Sequence, residues 1–481
     1  MFKLIGKQQK ISDTLVNKFK QTHDSLINDS LFLSGEMGTG KTYMGSYINY
    51  QLFNKNNINV IISPSTMIKK WINVLNSAAK EYSNNMNIIQ YKSSMNIHKN
   101  YTYVMSYITF TKFIQNVNIN DLNMIIIDEI QKCRQKMIEN IAYTKKENHN
   151  IKYLFLTGTI FDSSTEILFK LLEVTHHKLM QNYITSYQFD TNWENNTGSY
   201  KQFNLIKFIN YIWKYISVSI SLNDLKESDQ INNDANLVQE IAPIKLIDMS
   251  EEEKAYYSLI INQAKSAGMP TQMAARTASD YLDLPSKKML VSRRIKKIKY
   301  MPASNLIYQA GLTLSDITLS NTNKYKQLMQ ILKEKKQTLI YITDEELGEK
   351  LNQQLKKDGY NSDLILSKKD TDKKINNSFK ENTIVITNPK LVTVGVDIEA
   401  EYLVWYQLLN KITDILQAQR RITRLNSKLK SKVFLLGYNE THQQEIINEI
   451  SNGAKNNAAA YGFKDKSNLA KLTGVLLQGI D

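Results

Sequence analysis

The sequence predicts an α/β protein with two parallel-sheet domains and a mainly helical insertion between them. Three observations support this prediction. Short apolar runs alternate with longer amphipathic stretches through the first third of the 481 residues, and a glycine-rich loop follows the first run. The alternation lapses after about residue 170 and returns after about residue 320. Such alternation is typical of βαβ units, in which helices cover a parallel sheet.

The first domain is predicted at residues 1–170. Its buried strands are expected at 31–33, 59–62, 103–105, 124–127 and 153–156, because these runs are short and almost wholly apolar. The loop at 35–42 reads Gly-Glu-Met-Gly-Thr-Gly-Lys-Thr and matches the phosphate-binding pattern GxxxxGK[ST] at every fixed position. A structural turn is disfavoured by the strand before the loop and the helix-compatible residues after it. The predicted nucleotide-binding residues are Gly35, Met37, Gly38, Thr39, Gly40, Lys41 and Thr42.

Each part of this loop has a chemical reason. The glycines let successive N–H groups turn toward a β-phosphate. Lys41 supplies positive charge for the β- and γ-phosphates, and the Thr42 hydroxyl is a ligand for Mg²⁺. The sequence therefore predicts ATP and Mg²⁺ as the bound groups.

Two adjacent carboxylates, Asp128 and Glu129, follow the apolar run 124–127. A buried strand ending there would bring Asp128 to the carboxyl edge of the sheet, near the phosphate loop, where it can hold Mg²⁺ directly or through water. Glu129 would polarise the attacking water, and general-base catalysis contributes about 10²–10⁴-fold. An Asp-Glu pair after a strand is often only a solvated turn. Its position downstream of a phosphate loop favours catalysis.

Another strand end, Thr157-Gly158-Thr159, carries small hydroxyl residues. We expect this turn to sense the γ-phosphate. A turn that merely closes the strand is the alternative.

Residues 171–320 are mostly helical in pattern, with polar breaks at 191–199 and 223–236. The basic stretch 286–300 lies in this segment, and it either tracks a phosphate backbone without reading sequence or forms a solvated basic helix. The candidate contacts in it are Arg293, Arg294, Lys296 and Lys297.

The second domain is predicted at residues 321–450, with strands at 338–343, 362–366, 383–387, 402–406 and 432–437 and no phosphate loop of its own. On a helix, Gln417, Arg421 and Arg424 would share one face. If this domain docks on the first, both arginines would reach the γ-phosphate, and an arginine of this kind contributes about 10³–10⁵ in rate. A basic solvated face or a phosphate-backbone contact is the alternative. A docked helix is the default for residues 451–481, to which we assign no role.

Composition narrows the class of protein. The net charge of +15 attracts a polyanion, although charge alone is weak evidence for one. The single cysteine, Cys133, excludes a disulfide framework. The Cys and His residues do not occur at the spacing of metal ligands, so no structural metal is predicted. A single cysteine suits a reducing interior, so we expect a cytoplasmic location. No run of eighteen apolar residues occurs, so we expect no membrane association.

The order of the motifs resembles that of superfamily 2 nucleic-acid motors, and most closely their Swi/Snf-type branch. Gln8 resembles the glutamine of the Q-motif, which reads the adenine edge. The loop 35–42 resembles motif I, Asp128-Glu129-Ile-Gln131 motif II and residues 156–159 the "LTGT" form of motif III. Residues 338–343 resemble motif IV, 392–397 motif V and 417–424 motif VI. Residues 61–66 with Trp71 resemble motif Ia, and 104–107 the "TSY" form of motif Ib.

The resemblance implies two RecA-like domains of the P-loop NTPase type, with ATP in the cleft between them. It implies catalytic roles for Glu129, Gln417, Arg421 and Arg424, and nucleotide contacts for Gly395 and Asp397. Strand-end loops grip the nucleic acid in this family, which assigns backbone contacts to Ser63, Pro64, Ser65, Ser106 and Tyr107.

The implied function is an ATP-dependent DNA helicase or double-strand DNA translocase. Without accessory domains the chain is similar to helicases that tailed phages encode for replication, recombination or branch migration, which would place it in the host cytoplasm. Its partner is expected to be duplex or branched DNA, with single-stranded DNA also possible. An RNA-directed helicase and a non-motor, ATP-dependent nucleic-acid-binding switch are the alternatives. The sequence does not choose between unwinding and translocation, and it fixes neither polarity nor oligomeric state.

Overall fold

The structure is a computed structural model. The body of its first compact unit is Met1–Ala235 and that of its second is Asn236–Ala454. The structure describes residues 3–21, 29–36, 38–82, 86–158, 166–180, 212–221, 224–225, 240–242, 245–266, 282, 288–294, 297–302, 318–366, 371–392, 398, 400–409, 415, 418 and 431–448.

The first unit contains a seven-stranded sheet in the order β3-β4-β2-β5-β6-β1-β7, with every neighbouring pair parallel. All five strands predicted for this unit are confirmed, and β3 and β7 are additional. β3 is a partly exposed edge strand with Asn and Gln at its ends, so it lacks the apolar signature of the central strands. The strands are β1 (Ser30–Gly35), β2 (Ile58–Ile62), β3 (Asn87–Gln90), β4 (Tyr101–Met105), β5 (Leu122–Asp128), β6 (Lys152–Thr157) and β7 (Ser217–Ile220).

Among the described residues, six helices of ten or more residues connect or flank these strands. In the third, apolar residues at 68, 71, 74, 75 and 78 recur at helical spacing, and this stripe is buried. The fourth begins where the Ser106 side chain accepts the Thr109 N–H, a standard N-terminal cap. The helices are α1 (Gly6–Lys20), α2 (Lys41–Gln51), α3 (Ile68–Glu81), α4 (Tyr107–Asn116), α5 (Gln135–Glu147) and α6 (Glu166–Thr175).

The second unit has its own parallel sheet, in the order β13-β14-β12-β15-β16-β8, with β9 also paired to β16. The five strands predicted for this unit are confirmed, so both halves of the chain are parallel-sheet α/β domains of the RecA-like type. Helices at Glu251–Ser266, Asn323–Leu332, Glu345–Lys357 and Thr371–Ser378 accompany the sheet. The strands are β8 (Glu240–Ile241), β9 (Lys245–Ile247), β12 (Thr338–Tyr341), β13 (Ser362–Ile365), β14 (Ile384–Thr387), β15 (Tyr402–Trp405) and β16 (Lys432–Tyr438).

The described part of residues 171–320 contains strands as well as helices. It supplies β7 to the first sheet and β8 and β9 to the second. The basic stretch forms an antiparallel hairpin, β10 (Lys288–Arg294) and β11 (Lys297–Pro302), and not a helix. Residues 297–300 read Lys-Ile-Lys-Tyr, which alternates with the period of a strand. The density of charge obscures that alternation in the sequence.

Within the described ranges, no helix is both long and apolar enough to cross a lipid bilayer.

Candidate functional site

The strand order of the first unit gathers the predicted chemistry at one edge of its sheet. β6 lies between β5 and β1, with Leu156 beside Asp128 and Thr157 beside Ser34. All three strands run parallel, so their carboxyl ends share an edge. Asp128, Thr157 and the loop that starts at Gly35 therefore meet there, where α/β proteins bind their ligands.

The phosphate loop has the backbone that an anion site requires. Gly38 and Gly40 adopt φ of +88° and +85°, a left-handed conformation that glycine accepts without strain. Gly40 then caps α2, so the N-terminal amides of that helix face the loop. The Lys41 ammonium donates to the carbonyl oxygens of Gly35 at 2.7 Å and Glu36 at 3.1 Å. The Lys41 ammonium thus already lies at the loop. Together with the backbone N–H groups, it forms a set of donors that fits the phosphates of a nucleoside triphosphate.

β7 supports the base of the loop. The Glu36 N–H donates to the Ile220 carbonyl at 3.0 Å, which continues the β1–β7 pairing into the loop. A Cβ on Gly35 would lie 2.5 Å from Ile220 Cγ2, so only glycine fits beside this strand. This support was not predictable from the sequence, because β7 is short and lies far along the chain.

Gln8 is packed directly on the loop. Its Nε2 donates to the Thr39 carbonyl at 2.8 Å, and its Oε1 accepts the Ile5 N–H at 3.1 Å. The side chain is buried, and a Cβ on Gly40 would lie 2.4 Å from Nε2. Adenine recognition by Gln8 stays a prediction. The contact with the loop is a second role that the motif did not reveal.

Asp128 ends β5 with a buried carboxylate. The Trp71 indole N–H donates to Oδ2 at 2.8 Å. Burial raises the pKa of Asp128, and the neighbouring Glu129 raises it further. The Trp71 bond and the charges of Lys41 and Lys70 act in the opposite direction. Carboxylate and hydroxyl oxygens are ligands that fit Mg²⁺, and a bound divalent cation would favour the charged form of Asp128.

Glu129 sits in a strained turn that its neighbours hold. Its φ is +57°, a left-handed conformation that costs a non-glycine residue about 1–2 kcal/mol. The Gln131 amide donates to Glu129 Oε2, and Gln131 Oε1 accepts the Thr157 hydroxyl at 2.8 Å. A chain of side chains therefore runs from the end of β6 to the predicted general base. Strain concentrated at such a residue is typical of active sites.

The predicted nucleic-acid contacts differ in their accessibility. Ser63 is fully buried, its N–H donates to the Met105 carbonyl, and its hydroxyl donates to the Pro64 carbonyl. Its hydroxyl is therefore closed to a phosphate in this structure. Ser65 is exposed and Pro64 is half-buried, while Ser106 and Tyr107 are half-buried at the start of α4. The phosphate contacts of these four residues stay predictions.

Several predicted residues lie outside the described part of the chain. They are Met37, Lys296, Gly395, Asp397, Gln417, Arg421 and Arg424. Arg293, Arg294 and Lys297 are described only through the backbone of the β10–β11 hairpin, in which Arg294 is paired with Lys297.

Comparison with known proteins agrees with this geometry in the first unit. Residues 1–162 match the family model for the type III restriction enzyme, res subunit. No curated protein matches the sequence. The match spans 162 of the 481 residues and includes the phosphate loop, Asp128, Glu129 and Thr157. The N-terminal part of the chain is therefore similar to a superfamily 2 helicase-type domain.

Proposed function

We propose that the chain is an ATP-dependent DNA helicase or double-strand DNA translocase, which couples ATP hydrolysis to movement on DNA in replication, recombination or repair. The observation that carries the proposal is the meeting of the phosphate loop, Asp128 and the chain Thr157–Gln131–Glu129 at one sheet edge. Phosphate binding, metal binding and activation of water are the three requirements of triphosphate hydrolysis.

Each residue has a separate task in the proposed reaction. Lys41 exchanges its carbonyl partners for phosphate oxygens, and Thr42 and Asp128 would hold a magnesium ion. The ion would neutralise part of the phosphate charge. Glu129 accepts a proton from the water that attacks the γ-phosphorus, while the bond to the leaving ADP oxygen breaks. Gln417, Arg421 and Arg424 remain our proposed groups for the charge that develops on the phosphoryl oxygens.

DNA is the proposed partner for two reasons. The "TSY", "LTGT" and "QAxxR" forms of three motifs resemble the DNA-directed branch, and the net charge is +15.

Steady-state ATP hydrolysis tests the proposal. We expect duplex DNA to stimulate hydrolysis and Lys41→Ala to abolish it. Glu129→Gln should lower kcat by about 10²–10⁴-fold while nucleotide binding is retained. Stimulation by RNA and not by DNA would support the RNA-directed alternative. Unchanged hydrolysis in Glu129→Gln would contradict the catalytic assignment.

Strand displacement separates the two kinds of movement. Forked, Holliday-type and blunt duplexes are incubated with ATP, with Lys41→Ala as the blank. Displacement of the fork supports a helicase. Movement along the blunt duplex without displacement, followed by displacement of a bound triplex strand, supports a translocase.

The basic hairpin is tested by salt dependence. Charge reversal of Arg293, Arg294, Lys296 and Lys297 should weaken DNA binding and flatten the slope of log K against log salt concentration, because fewer counterions are released. An unchanged slope would remove the hairpin from the proposed DNA surface.

A further inference from the structure

Two aromatic side chains from separate helices of the first unit end on the Asp128-Glu129 pair. Trp71 lies in α3, which begins directly after the exposed turn at Ser65–Met67. Tyr107 is the first residue of α4, directly after Ser106. Both helices therefore begin at loops that we propose to contact DNA. Trp71 donates a hydrogen bond to the Asp128 carboxylate, and Tyr107 donates to the main-chain carbonyls of Asp128 and Glu129.

The Trp71 contact is built into the packing of the unit. The indole is fully buried, and its N–H reaches Asp128 Oδ2 at 2.8 Å. A Cβ on Gly45 of α2 would lie 2.9 Å from Trp71 Cη2, so the absence of a side chain there gives the indole its place. A buried carboxylate depends on such donors, because it has lost its contact with water. Trp71 thus fixes one oxygen of the predicted magnesium ligand.

The Tyr107 contact acts on the main chain. Its hydroxyl donates to the carbonyl oxygens of Asp128 and Glu129, the latter at 3.1 Å. These carbonyls flank the left-handed turn at Glu129, which has a φ of +57°. A strained turn persists only where its surroundings hold it. Tyr107 thus sets the direction in which the Glu129 side chain leaves the backbone.

We propose that Trp71 and Tyr107 are positioning residues that couple DNA at the loops Ser65–Met67 and Ser106 to the carboxylates Asp128 and Glu129. The inference rests on the proposed function, and it names the route by which DNA would regulate the site. Neither side chain touches the reacting atoms. A displacement of either loop moves a rigid helix and, with it, the donor that holds the Asp128 carboxylate or the backbone of the Glu129 turn. Coupling of this kind is reciprocal, so the nucleotide should change DNA affinity by the same factor.

The test uses equilibrium binding of a non-hydrolysable ATP analogue to the full chain, with and without Mg²⁺ and with and without duplex DNA. Trp71→Phe removes the indole N–H, and Tyr107→Phe removes only the hydroxyl. Trp213→Phe is the control for loss of a buried indole, since Trp213 packs on Phe32 in the same unit. Tyr50→Phe is the control for loss of a hydroxyl that donates to a carbonyl, here that of Tyr82.

We expect Trp71→Phe to reduce the gain in analogue affinity that Mg²⁺ provides by roughly 10-fold, the scale found when partners of metal ligands are removed. Affinity without Mg²⁺ should be retained, which also shows that the phosphate loop is folded. In both Trp71→Phe and Tyr107→Phe, duplex DNA should no longer raise the affinity for the analogue. The two control variants should keep the wild-type values. If Trp71→Phe does not fold, benzothienylalanine at position 71 keeps the bicyclic shape and removes the N–H.

Two results would overturn the inference, and they are distinguishable. A wild-type chain that neither binds DNA nor hydrolyses ATP overturns the proposed function and the inference with it. A wild-type chain whose hydrolysis DNA stimulates, together with variants that keep the wild-type gains from Mg²⁺ and DNA, overturns the inference alone.

Discussion

Substitution of Gly40 by alanine tests whether Gln8 is part of the phosphate loop. Gly40 has a φ of +85°, and a Cβ at this position would lie 2.4 Å from Gln8 Nε2. The Gln8 amide must then move away, and the buried 2.8 Å bond to the Thr39 carbonyl is lost. The substitution therefore has two separate costs.

The two costs are of similar size. A left-handed backbone costs alanine about 1–2 kcal/mol. A buried acceptor left without its donor costs about 1–3 kcal/mol. Gly40→Ala should therefore lower the free energy of unfolding of the first unit by about 2–5 kcal/mol. Nucleotide affinity should fall as well, because the loop amides no longer keep their arrangement.

Gly359 provides a matched control. Its φ is also +85°, but nothing lies within 4 Å of a Cβ built there. Gly359→Ala should therefore cost only the backbone strain, about 1–2 kcal/mol, in the second unit. Chemical denaturation measures the loss of unfolding free energy in both variants. Each value is taken from the transition of the unit that carries the substitution.

A double variant isolates the steric part. In a Gln8→Ala background, the cost of Gly40→Ala should fall to that of Gly359→Ala, because the clash is gone. Costs of Gly40→Ala and Gly359→Ala that agree within about 0.5 kcal/mol in the wild-type background would refute the packing of Gln8 on the loop.

Three further predictions concern the same unit. Thr157→Val removes the hydroxyl that holds Gln131, so kcat should fall by roughly 10-fold with little change in the KM for ATP; an unchanged kcat would contradict this. Gly45→Ala places a Cβ 2.9 Å from Trp71, and this overpacking should destabilise the unit by about 1–3 kcal/mol in denaturant titrations, whereas a neutral result would argue against the tight fit. Burial, with a smaller effect of Lys145, lowers the pKa of His176 to about 3, so below pH 6.5 the unfolded chain binds a proton that the folded chain does not. Stability should therefore be complete above pH 6.5 and fall by about 1.4 kcal/mol per pH unit below it, and His176→Gln should remove that part of the slope. An equal slope in wild type and variant between pH 6.5 and 5 would refute the neutral buried histidine.

The central strands were predictable because they are buried on both faces. The run 124–127 is continuously apolar, as a parallel strand between two helical layers must be, and β5 forms there. β7 carries too weak an apolar pattern to be recognised, and the charge of residues 286–300 conceals the strand period of the β10–β11 hairpin. Sequence motifs therefore locate the sheet better than its edges.

The candidate site was predictable to the level of the backbone. A phosphate loop and a carboxylate pair that each follow a parallel strand must reach the same edge, and the structure places them there. The side-chain contacts were not predictable. Trp71 and Asp128 are 57 positions apart, and Gln8 and Thr39 are 31 apart. Such pairs depend on how helices pack on the sheet, which spacing along the chain does not encode.

The pairing of β7 with β1 decides how the first unit can be shortened for experiments. A fragment that ends at residue 162 or 170 would lack β7 and would leave β1 as an exposed edge strand. The Glu36 N–H would lose the Ile220 carbonyl at the base of the phosphate loop. Exposed apolar edge strands recruit other chains and aggregate. A soluble nucleotide-binding fragment should therefore extend past Ser221, well beyond the segment that the motifs mark out.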